Sequence, residues 1–352
     1  MTDISQIANK LPGVLTNLQP LGPGIKESPE FPGMPDPCAG PKRMTGVEDI
    51  LCMKPPTFLP DYKNPCWLDG NTFRCLPYFQ LIGMCKSATS DLFKRLHMHP
   101  DIIPNRGIFG KEIWYWSWRR FETTGKFGKF KMGMTLEEFT NQFFSSKLQT
   151  TNTNGKHNKI TGNGDPMDFW DRFRESNLPQ NTPGADELLW TTPYAVHHVN
   201  PNVKLLLMLR NPVDRLYSHY FHGQYGKTAQ SFHDHVAPIF TSFYIVHLLE
   251  WLNAFPREQI LIFRNEDYTV DIKGTMTDIF RFLNVDVPND RVLTQMANMA
   301  PFYESKKRKS AGPMLPETKR LLVELYRPYN EQLAAFLGDE RFAWRDASFA
   351  TA

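Results

Sequence analysis

Three groups of side chains in this sequence could bind an anion and transfer a group from it. The first is a turn, residues 85–90 (CKSATS), between a predicted buried strand at 78–84 and an amphipathic helix. Backbone N–H groups at a helix start are unpaired, and the helix dipole adds positive potential there. Lys86 adds a full charge, and Thr89 and Ser90 add hydroxyl donors. The turn predicts a phosphate site, with an ordinary strand–turn–helix connection as the alternative.

The second group follows another apolar strand, residues 203–209 (VKLLLML). Arg210 comes directly after this strand, and an Asn-Pro pair then predicts the start of a helix. Ser218 lies about two turns, roughly 10 Å, along that helix. An arginine fork and a hydroxyl could hold one phosphate from two sides. The alternative is that Arg210 pairs with a carboxylate nearby and that Ser218 faces solvent.

The third group is a possible general base. Glu112 lies in an unusually aromatic segment, residues 111–116 (KEIWYW), and a carboxylate of this kind could accept a proton from an attacking hydroxyl. A surface ion pair with Lys111 is the alternative interpretation. His97 and His99 are rival bases, but His99 precedes a proline at a helix end and is expected to be structural.

Strands that alternate with helices must position these groups. Such alternation predicts a mostly parallel sheet covered by helices on both faces, with ligands beyond the carboxyl ends of the strands. A third strand is predicted at 259–263, and residues 150–165 are expected to form a polar loop. Further helices are predicted at 135–146, from 166 onward, and at 242–255, 272–283, 317–326 and 329–337, with Pro328 separating the last two.

Composition limits the classes of function. The chain has 352 residues and a formal net charge of +3, which does not suggest a general nucleic-acid binder. Residues 1–74 are rich in proline and glycine and predict an irregular arm before a domain at 75–345 and a tail at 346–352. No apolar run is long enough to span a membrane, and the first 20 residues lack a signal-peptide core. The chain as given is therefore cytosolic or a luminal domain without its N-terminus.

The five cysteines all lie in the first quarter of the chain. No C-x-x-C pair occurs, so a zinc site is not expected. We expect instead one or two disulfides and one free thiol. Cys66 and Cys75 are the best candidates for a bridge, because they would close a short loop just before the first strand. Cys85, inside the turn, is the best candidate for the free thiol.

The two anion-binding turns together resemble those of the sulfotransferases, which use 3′-phosphoadenosine 5′-phosphosulfate (PAPS). In that family the first turn binds the 5′-phosphosulfate and the second the 3′-phosphate. Residues 111–116 resemble the Lys-Glu-x-aromatic element of the Golgi carbohydrate sulfotransferases, where the Glu is the general base, and residues 304–308 (ESKKR) resemble their basic loop over the donor. The similarity spans roughly residues 56–345. It is greatest to the members that sulfate the 6-hydroxyl of N-acetylgalactosamine 4-sulfate.

The resemblance implies an α/β fold, a P-loop-like three-layer sandwich with a central, mostly parallel sheet. It implies PAPS as donor without a metal, a sugar hydroxyl of chondroitin or dermatan sulfate as acceptor, and a place in the Golgi lumen. Glu112 and Lys86 are the expected catalytic residues. The expected donor-binding residues are Lys86, Ser87, Ala88, Thr89, Ser90, Arg210, Ser218, Lys306 and Arg308.

The acceptor would be a sulfated polysaccharide. Tryptophans near Glu112 could stack on sugar rings, with core packing as the default for at least one of them, and a basic groove could bind the polymer, with solvated faces as the alternative. The tryptophans are Trp114, Trp116 and Trp118. The basic residues are Lys126, Lys129, Lys131, Arg172 and Arg174.

Two departures from the family leave other functions open. Ala88 stands where the family usually has glycine, and it fits if its φ is negative. Residues 183–187 (PGADE) stand in place of an acidic-x-Ser/Thr element. The alternatives are a P-loop nucleotide phosphotransferase, such as a kinase, and a non-catalytic protein that binds PAPS or a polysaccharide.

Overall fold

The structure is a computed structural model. It describes residues 34–121, 126–127, 130–151, 155–185, 187–222, 228, 231–232, 239–302 and 310–345. The described strands are β1 (Cys66–Asp69), β2 (Thr72–Cys75), β3 (Phe79–Gly83), β4 (Ile102–Ile103), β5 (Lys126–Phe127), β6 (Phe130–Lys131), β7 (Ile160–Asn163), β8 (Lys204–Leu209) and β9 (Ile260–Arg264). The described α-helices are α1 (Thr89–Leu96), α2 (Leu136–Thr140), α3 (Ser145–Leu148), α4 (Thr192–Val199), α5 (Pro212–His222), α6 (Tyr244–Ala254), α7 (Asn265–Val270), α8 (Ile272–Phe282), α9 (Asp290–Asn298) and α10 (Pro316–Leu337).

Five strands form a central parallel sheet in the order β4-β7-β3-β8-β9. Strands β3 and β8 are mostly apolar along their length, which is typical of parallel strands buried on both faces. Along β8 successive residues face opposite sides: Leu206 and Met208 join one core cluster, while Leu205 and Leu207 join the other. The predicted three-layer α/β architecture is therefore confirmed.

Helices cover both faces of this sheet. On one face α1 packs with Leu92, Phe93 and Leu96 against α8. On the other face α5, α6 and α10 contribute to the larger cluster. The predicted strands at β3, β8 and β9 and the predicted inward face of α8 are confirmed.

Helix α1 differs from its prediction on one side. The amphipathic pattern places Lys94 and Arg95 on a solvent face, but only Lys94 is exposed and Arg95 is buried. Arg95 donates to Asp91 at 2.9 Å and to the Tyr268 hydroxyl at 2.8 Å. Because these partners satisfy the guanidinium, its burial is tolerated.

Residues 150–165, predicted to form a loop, contain β7. This strand joins the sheet between β4 and β3, and all four of its residues are buried. It has one large apolar residue, Ile160, so it shows no periodicity of its own, and its sheet neighbours supply the burial. The helix expected from residue 166 is also wrong, because Phe169 N–H donates instead to the Ile82 carbonyl of β3 at 2.9 Å.

Two further helix predictions needed correction. The helix at 135–146 has the expected capping box between Thr135 and Glu138, but it ends at Thr140 because Phe143 forms a β-bridge with Asn105. Pro328 lies inside a single helix, α10, and does not break it. Burial of one face of α10 in the main core offsets the cost of the proline.

Residues 34–74 of the predicted arm pack on the domain. Val47, Ile50 and Leu51 are buried in the larger core cluster, and β1 and β2 form a hairpin that the sequence did not predict. The hairpin is closed by the predicted Cys66–Cys75 disulfide, and a second disulfide joins Cys38 to Cys52. Cys85 is the free thiol, as predicted. Within the described ranges, no helix has the length and apolar content needed to cross a bilayer.

Candidate active site

The turn after β3 brings Lys86 to the carboxyl edge of the sheet, beside Arg210. Nη1 of Arg210, which follows β8, donates to the Lys86 carbonyl at 3.0 Å. The two turns meet because β3 and β8 are neighbours and parallel. The structure therefore brings together the two basic residues that the sequence predicts on separate turns.

Arg210 and Glu112 both interact electrostatically with Lys86. Burial lowers the pKa of Lys86 below its ordinary value, and the Arg210 charge lowers it as well. Cys85 and Glu112 act in the opposite direction. Two cations and one carboxylate are thus close enough to act on one another, and an anion bound beside Lys86 would favour its charged form.

Ala88 occupies the left-handed region, with φ 61° and ψ 22°. The condition under which an alanine fits without strain, a negative φ, is therefore not met at the point where the chain turns from β3 into α1. A left-handed backbone costs an alanine about 1 kcal/mol relative to glycine. The alanine therefore adopts a conformation that glycine would adopt at a lower cost in stability.

Unpaired donors lie around this turn. The first N–H groups of α1 receive no cap from the side chain at position 88. The Ser87 hydroxyl is fully buried and has no hydrogen-bond partner among the residues that the structure describes. Thr89 is buried and Ser90 half-buried at the helix start. These donors suit the oxygens of a phosphate group.

Helix α5 starts as predicted and packs against the same turn. The Asn211 side chain accepts from Val213 N–H at 3.0 Å, and Pro212 is the first helical residue. Arg215 is fully buried and donates to the Cys85 sulfur at 3.3 Å, and the same sulfur lies 3.2 Å from His219 Nδ1. Sequence reasoning missed both contacts.

Ser218 lies buried in α5, not on a solvent face. Lys306 and Arg308 lie outside the described residues, as does Asp186. Phe302, which closely precedes the basic segment, donates its N–H to Asp91 of α1 at 2.8 Å.

Glu112 is held by two neighbours. Its Oε1 contacts Nζ of Lys111, and its Oε2 accepts from the Trp114 indole N–H at 3.3 Å. Lys111 is fully buried, and its Nζ also donates to the Gly164 carbonyl at 3.0 Å. The Glu112 side chain is 15% exposed. The ion pair that was the alternative interpretation exists, but its lysine is buried, and the Glu112 charge also acts on Lys86.

The backbone around Glu112 is tightly packed. Ile108 and Glu112 exchange N–H···O bonds of 2.9 and 3.1 Å. A Cβ on Gly107 would lie 2.3 Å from the Glu112 carbonyl oxygen, so only glycine fits there. Asn105 Nδ2 then joins this segment to β7 through the carbonyls of Lys111 and Gly162.

Buried carboxylates behind Glu112 were missed by the sequence analysis. Asp165 Oδ2 accepts from the Trp114 backbone N–H at 2.8 Å and from Asn163 Nδ2 at 2.9 Å. Burial raises the pKa of Asp165 to about 7, and the Glu112 charge also raises it. Burial and Asp165 raise the pKa of Asp168 well above its ordinary value. The available signal was three aspartates spaced three apart, at 165, 168 and 171, within an aromatic segment.

The segment that stands in place of the family's acidic-x-Ser/Thr element, residues 183–187, is exposed where the structure describes it. Pro183, Gly184, Ala185 and Glu187 are exposed. At the carboxyl end of β7, next to β3, the residues are instead Asn163, Gly164 and Asp165. Among the residues that the structure describes, Asp165 places a carboxylate behind Glu112.

The three tryptophans near Glu112 have different environments. Trp116 is buried and belongs to the core. Trp114 and Trp118 are half-buried, with ring centroids 5.2 Å apart. Arg174 lies over the Trp118 ring at 5.8 Å. Trp114 and Trp118 are therefore the two that a sugar could reach.

The predicted basic groove is only partly supported. Arg172 is paired with Glu175 and Glu250, each at 2.9 Å, and Lys131 is paired with Glu138. The side chains of Lys126 and Lys129 lie outside the description. Among the side chains that the structure describes, Arg174 is the member of the set that lies beside the tryptophans, and its Nη1 lies 3.9 Å from Asp171 Oδ2.

The histidines do not compete with Glu112. His99 is buried, with Nε2 2.8 Å from the Asp286 carbonyl and Nδ1 accepting from Asp101 N–H, which agrees with a structural role. His97 lies at the C-terminal end of α1, away from the turn at Lys86, and burial lowers its pKa to about 4.

Comparisons with known proteins find similarity to sulfotransferases. A family model described as a sulfotransferase domain matches residues 186–324. Carbohydrate sulfotransferase 15 of Mus musculus is 31% identical over 77% of this chain and 55% of its own length, and the Homo sapiens protein is 30% identical over the same shares. The chain thus spans about half the length of these relatives. A sulfotransferase structure from Alicyclobacillus acidocaldarius matches 77% of this chain and all of its own, with a TM-score of 0.53 and 20% identity, which shows the shared fold.

Proposed function

The chain belongs to the sulfotransferases and is related to the carbohydrate sulfotransferases, and from that premise we propose that it transfers a sulfuryl group from PAPS to a sugar hydroxyl. The proposed acceptor is the 6-hydroxyl of N-acetylgalactosamine 4-sulfate in chondroitin or dermatan sulfate. The similarity to carbohydrate sulfotransferase 15 supports this choice over other polysaccharides.

One observation carries the proposal. Lys86 and Arg210 come from two separate strand–helix turns, yet the Arg210 guanidinium is hydrogen-bonded to the Lys86 carbonyl. A donor with phosphates on both the 3′ and the 5′ position of its ribose needs two cationic sites at one edge of the sheet. The uncapped start of α1 and the buried Ser87 hydroxyl would add neutral donors for the 5′ end.

In the proposed reaction the acceptor oxygen forms a bond to sulfur while the bond from sulfur to the phosphate oxygen breaks. Glu112 accepts the proton of the attacking hydroxyl. Lys86 and the N–H groups of α1 stabilise the negative charge that develops on the departing bisphosphate. Lys111 and the Trp114 indole keep the Glu112 carboxylate in place before the acceptor arrives.

The acceptor would bind beside Glu112. Trp114 and Trp118 offer two neighbouring rings for a sugar, and Arg174 adds a positive charge that suits a sulfate or carboxylate group. The two disulfides fit an oxidising compartment, in agreement with a proposed location in the Golgi lumen.

The test is transfer of labelled sulfate from PAPS to a panel of chondroitin, dermatan and heparan chains, with and without existing 4-sulfate. We expect label at the 6-position of N-acetylgalactosamine, and a fall in kcat of at least about 100-fold in Glu112→Gln with unchanged affinity for the product 3′-phosphoadenosine 5′-phosphate (PAP). Glu258→Gln is a matched control, because Glu258 is exposed just before β9, at the opposite edge of the sheet.

Other outcomes would replace the proposal. Binding of PAP without transfer to any acceptor would indicate a non-catalytic binder. Transfer of phosphate from ATP would indicate a phosphotransferase. Label on heparan chains alone would keep the reaction and overturn the acceptor.

A further inference from the structure

Trp114 has an unfavourable backbone conformation. Its φ of 61° and ψ of 31° lie in the left-handed region, which bulky side chains rarely adopt. Such strain persists only when surrounding contacts impose it, and it is often found at functional sites. The strained residue here is also the one whose indole N–H reaches Glu112.

Asp165 supplies the contact that imposes this conformation. Its Oδ2 accepts the Trp114 backbone N–H at 2.8 Å, and Asn163 Nδ2 donates to the same oxygen at 2.9 Å. Asp165 and Asn163 are fully buried, so these hydrogen bonds are protected from competing water. The acceptor for the Trp114 N–H thus comes from a segment about 50 residues later in the chain.

The same two segments are joined on the other side of Glu112. Lys111 and Gly164 form two hydrogen bonds with each other. The Gly164 backbone N–H donates to the Lys111 carbonyl at 2.9 Å, and Lys111 Nζ donates to the Gly164 carbonyl at 3.0 Å. Both neighbours that hold the Glu112 carboxylate, Lys111 and Trp114, are therefore fixed by residues 164–165.

We propose that Asp165 is a positioning residue, which holds Trp114 in its left-handed conformation and so turns the indole N–H onto Glu112. This inference rests on the proposed role of Glu112 as general base. Asp165 itself does not touch the acceptor: it is fully buried and acts through the Trp114 peptide.

Kinetic variants test this role. Asp165→Ala removes the acceptor for the Trp114 N–H, and we expect kcat to fall by about tenfold or more, because a hydrogen bond to a charged base is lost. Asp165→Asn keeps a carbonyl oxygen at the same place and should stay within about threefold of wild type. Affinity for PAP should not change in either variant, since no donor-binding residue is altered.

A double-mutant cycle separates positioning from general stability. Trp114→Phe removes the indole N–H and retains a ring. If Asp165 acts through Trp114, the double variant loses little more kcat than either single variant, and Asp165→Ala has no further effect in a Glu112→Gln background. Additive losses, or a loss of the same size without Glu112, would overturn the proposal.

A spectroscopic test does not depend on activity. The indole N–H resonance of Trp114 is assigned by its disappearance in Trp114→Phe, and we expect it to shift in Asp165→Ala but not in Asp165→Asn. Asp168→Asn is the matched control, since Asp168 is a buried neighbour with no hydrogen bond to Trp114. An unmoved resonance in Asp165→Ala would overturn the positioning role. If no acceptor is sulfated by any variant but the resonance shifts, the proposed function fails and the structural claim stands.

Discussion

The donor turn and the base segment lie at the same edge of the sheet but are built differently. The proposed donor turn, residues 85–90, is a continuous piece of chain between β3 and the first turn of α1, and Arg210 and Arg215 contact it from a later part of the chain. The base segment, residues 105–119, is irregular, and it depends on buried groups from residues 162–165. The turn takes its shape mainly from consecutive residues, whereas the irregular backbone of the base segment depends on these distant groups for its shape.

The largest expected effects distinguish the two regions, because one variant loses affinity for PAP and the other loses only kcat. Lys86→Ala should weaken binding of PAP and abolish transfer, because the charge at the 5′ phosphate disappears. Glu112→Gln should lower kcat by at least about 100-fold with donor affinity intact. Isothermal titration with PAP and single-turnover transfer measure the two quantities. Equal loss of PAP affinity in both variants would contradict the division of roles.

The two regions should respond to pH with opposite signs. Burial raises the pKa of Asp165 to about 7 and lowers the pKa of His219 to about 3. Between the unfolded pKa of an aspartate and pH 7, Asp165 keeps its proton in the folded state and loses it in the unfolded state. The stability that this proton binding contributes is therefore lost as pH rises towards 7. Unfolded His219 gains a proton below about 6.5 and the folded form does not, so its contribution is lost as pH falls.

Urea unfolding at pH 5 and pH 7.5 checks these signs. Relative to wild type, Asp165→Asn should gain roughly 2 kcal/mol of unfolding free energy on going from pH 5 to 7.5. His219→Gln should show the reverse change, of similar size. Changes of the same sign in both variants would show that one of the groups does not titrate as its surroundings indicate.

Donor binding should also weaken at high pH. Burial lowers the pKa of Lys86, so its charge is lost below the ordinary lysine range as pH rises. Affinity for PAP should therefore fall by about tenfold across the alkaline range up to pH 10.5. Lys86→Arg, which stays charged, should bind PAP with little change over that range. A fall in affinity of the same size in Lys86→Arg would assign the effect to another group.

The smallest effect concerns the turn itself. Ala88→Gly should stabilise the protein by about 1 kcal/mol, because glycine adopts the left-handed conformation at position 88 without steric cost. The gain is measured as a higher urea midpoint at unchanged slope. Ala185→Gly, at an exposed turn residue whose φ is not positive, is the matched control and should give no gain.

The sequence by itself predicted three of the five strands of the central sheet, β3, β8 and β9, the two strand–helix turns at Lys86 and Arg210, and Glu112 as the candidate general base. Apolar runs in β3 and β8 and the residues directly after them carry this information locally, so Lys86, Arg210 and the cap at Asn211 could be predicted from a few neighbouring positions. The Cys66–Cys75 bridge followed in the same way from its short spacing.

Only the tertiary structure decided what stands behind Glu112. β7 has too little apolar pattern to be read as a strand, and its place between β4 and β3 is what brings Asp165 to Trp114. The predictions that Arg95 faces solvent and that Pro328 separates two helices were wrong for a related reason. In both cases burial against distant residues outweighed the local preference of the residue. Contacts between segments about 50 residues apart leave no periodic trace in either segment, and this is why they appear only once the chain is folded.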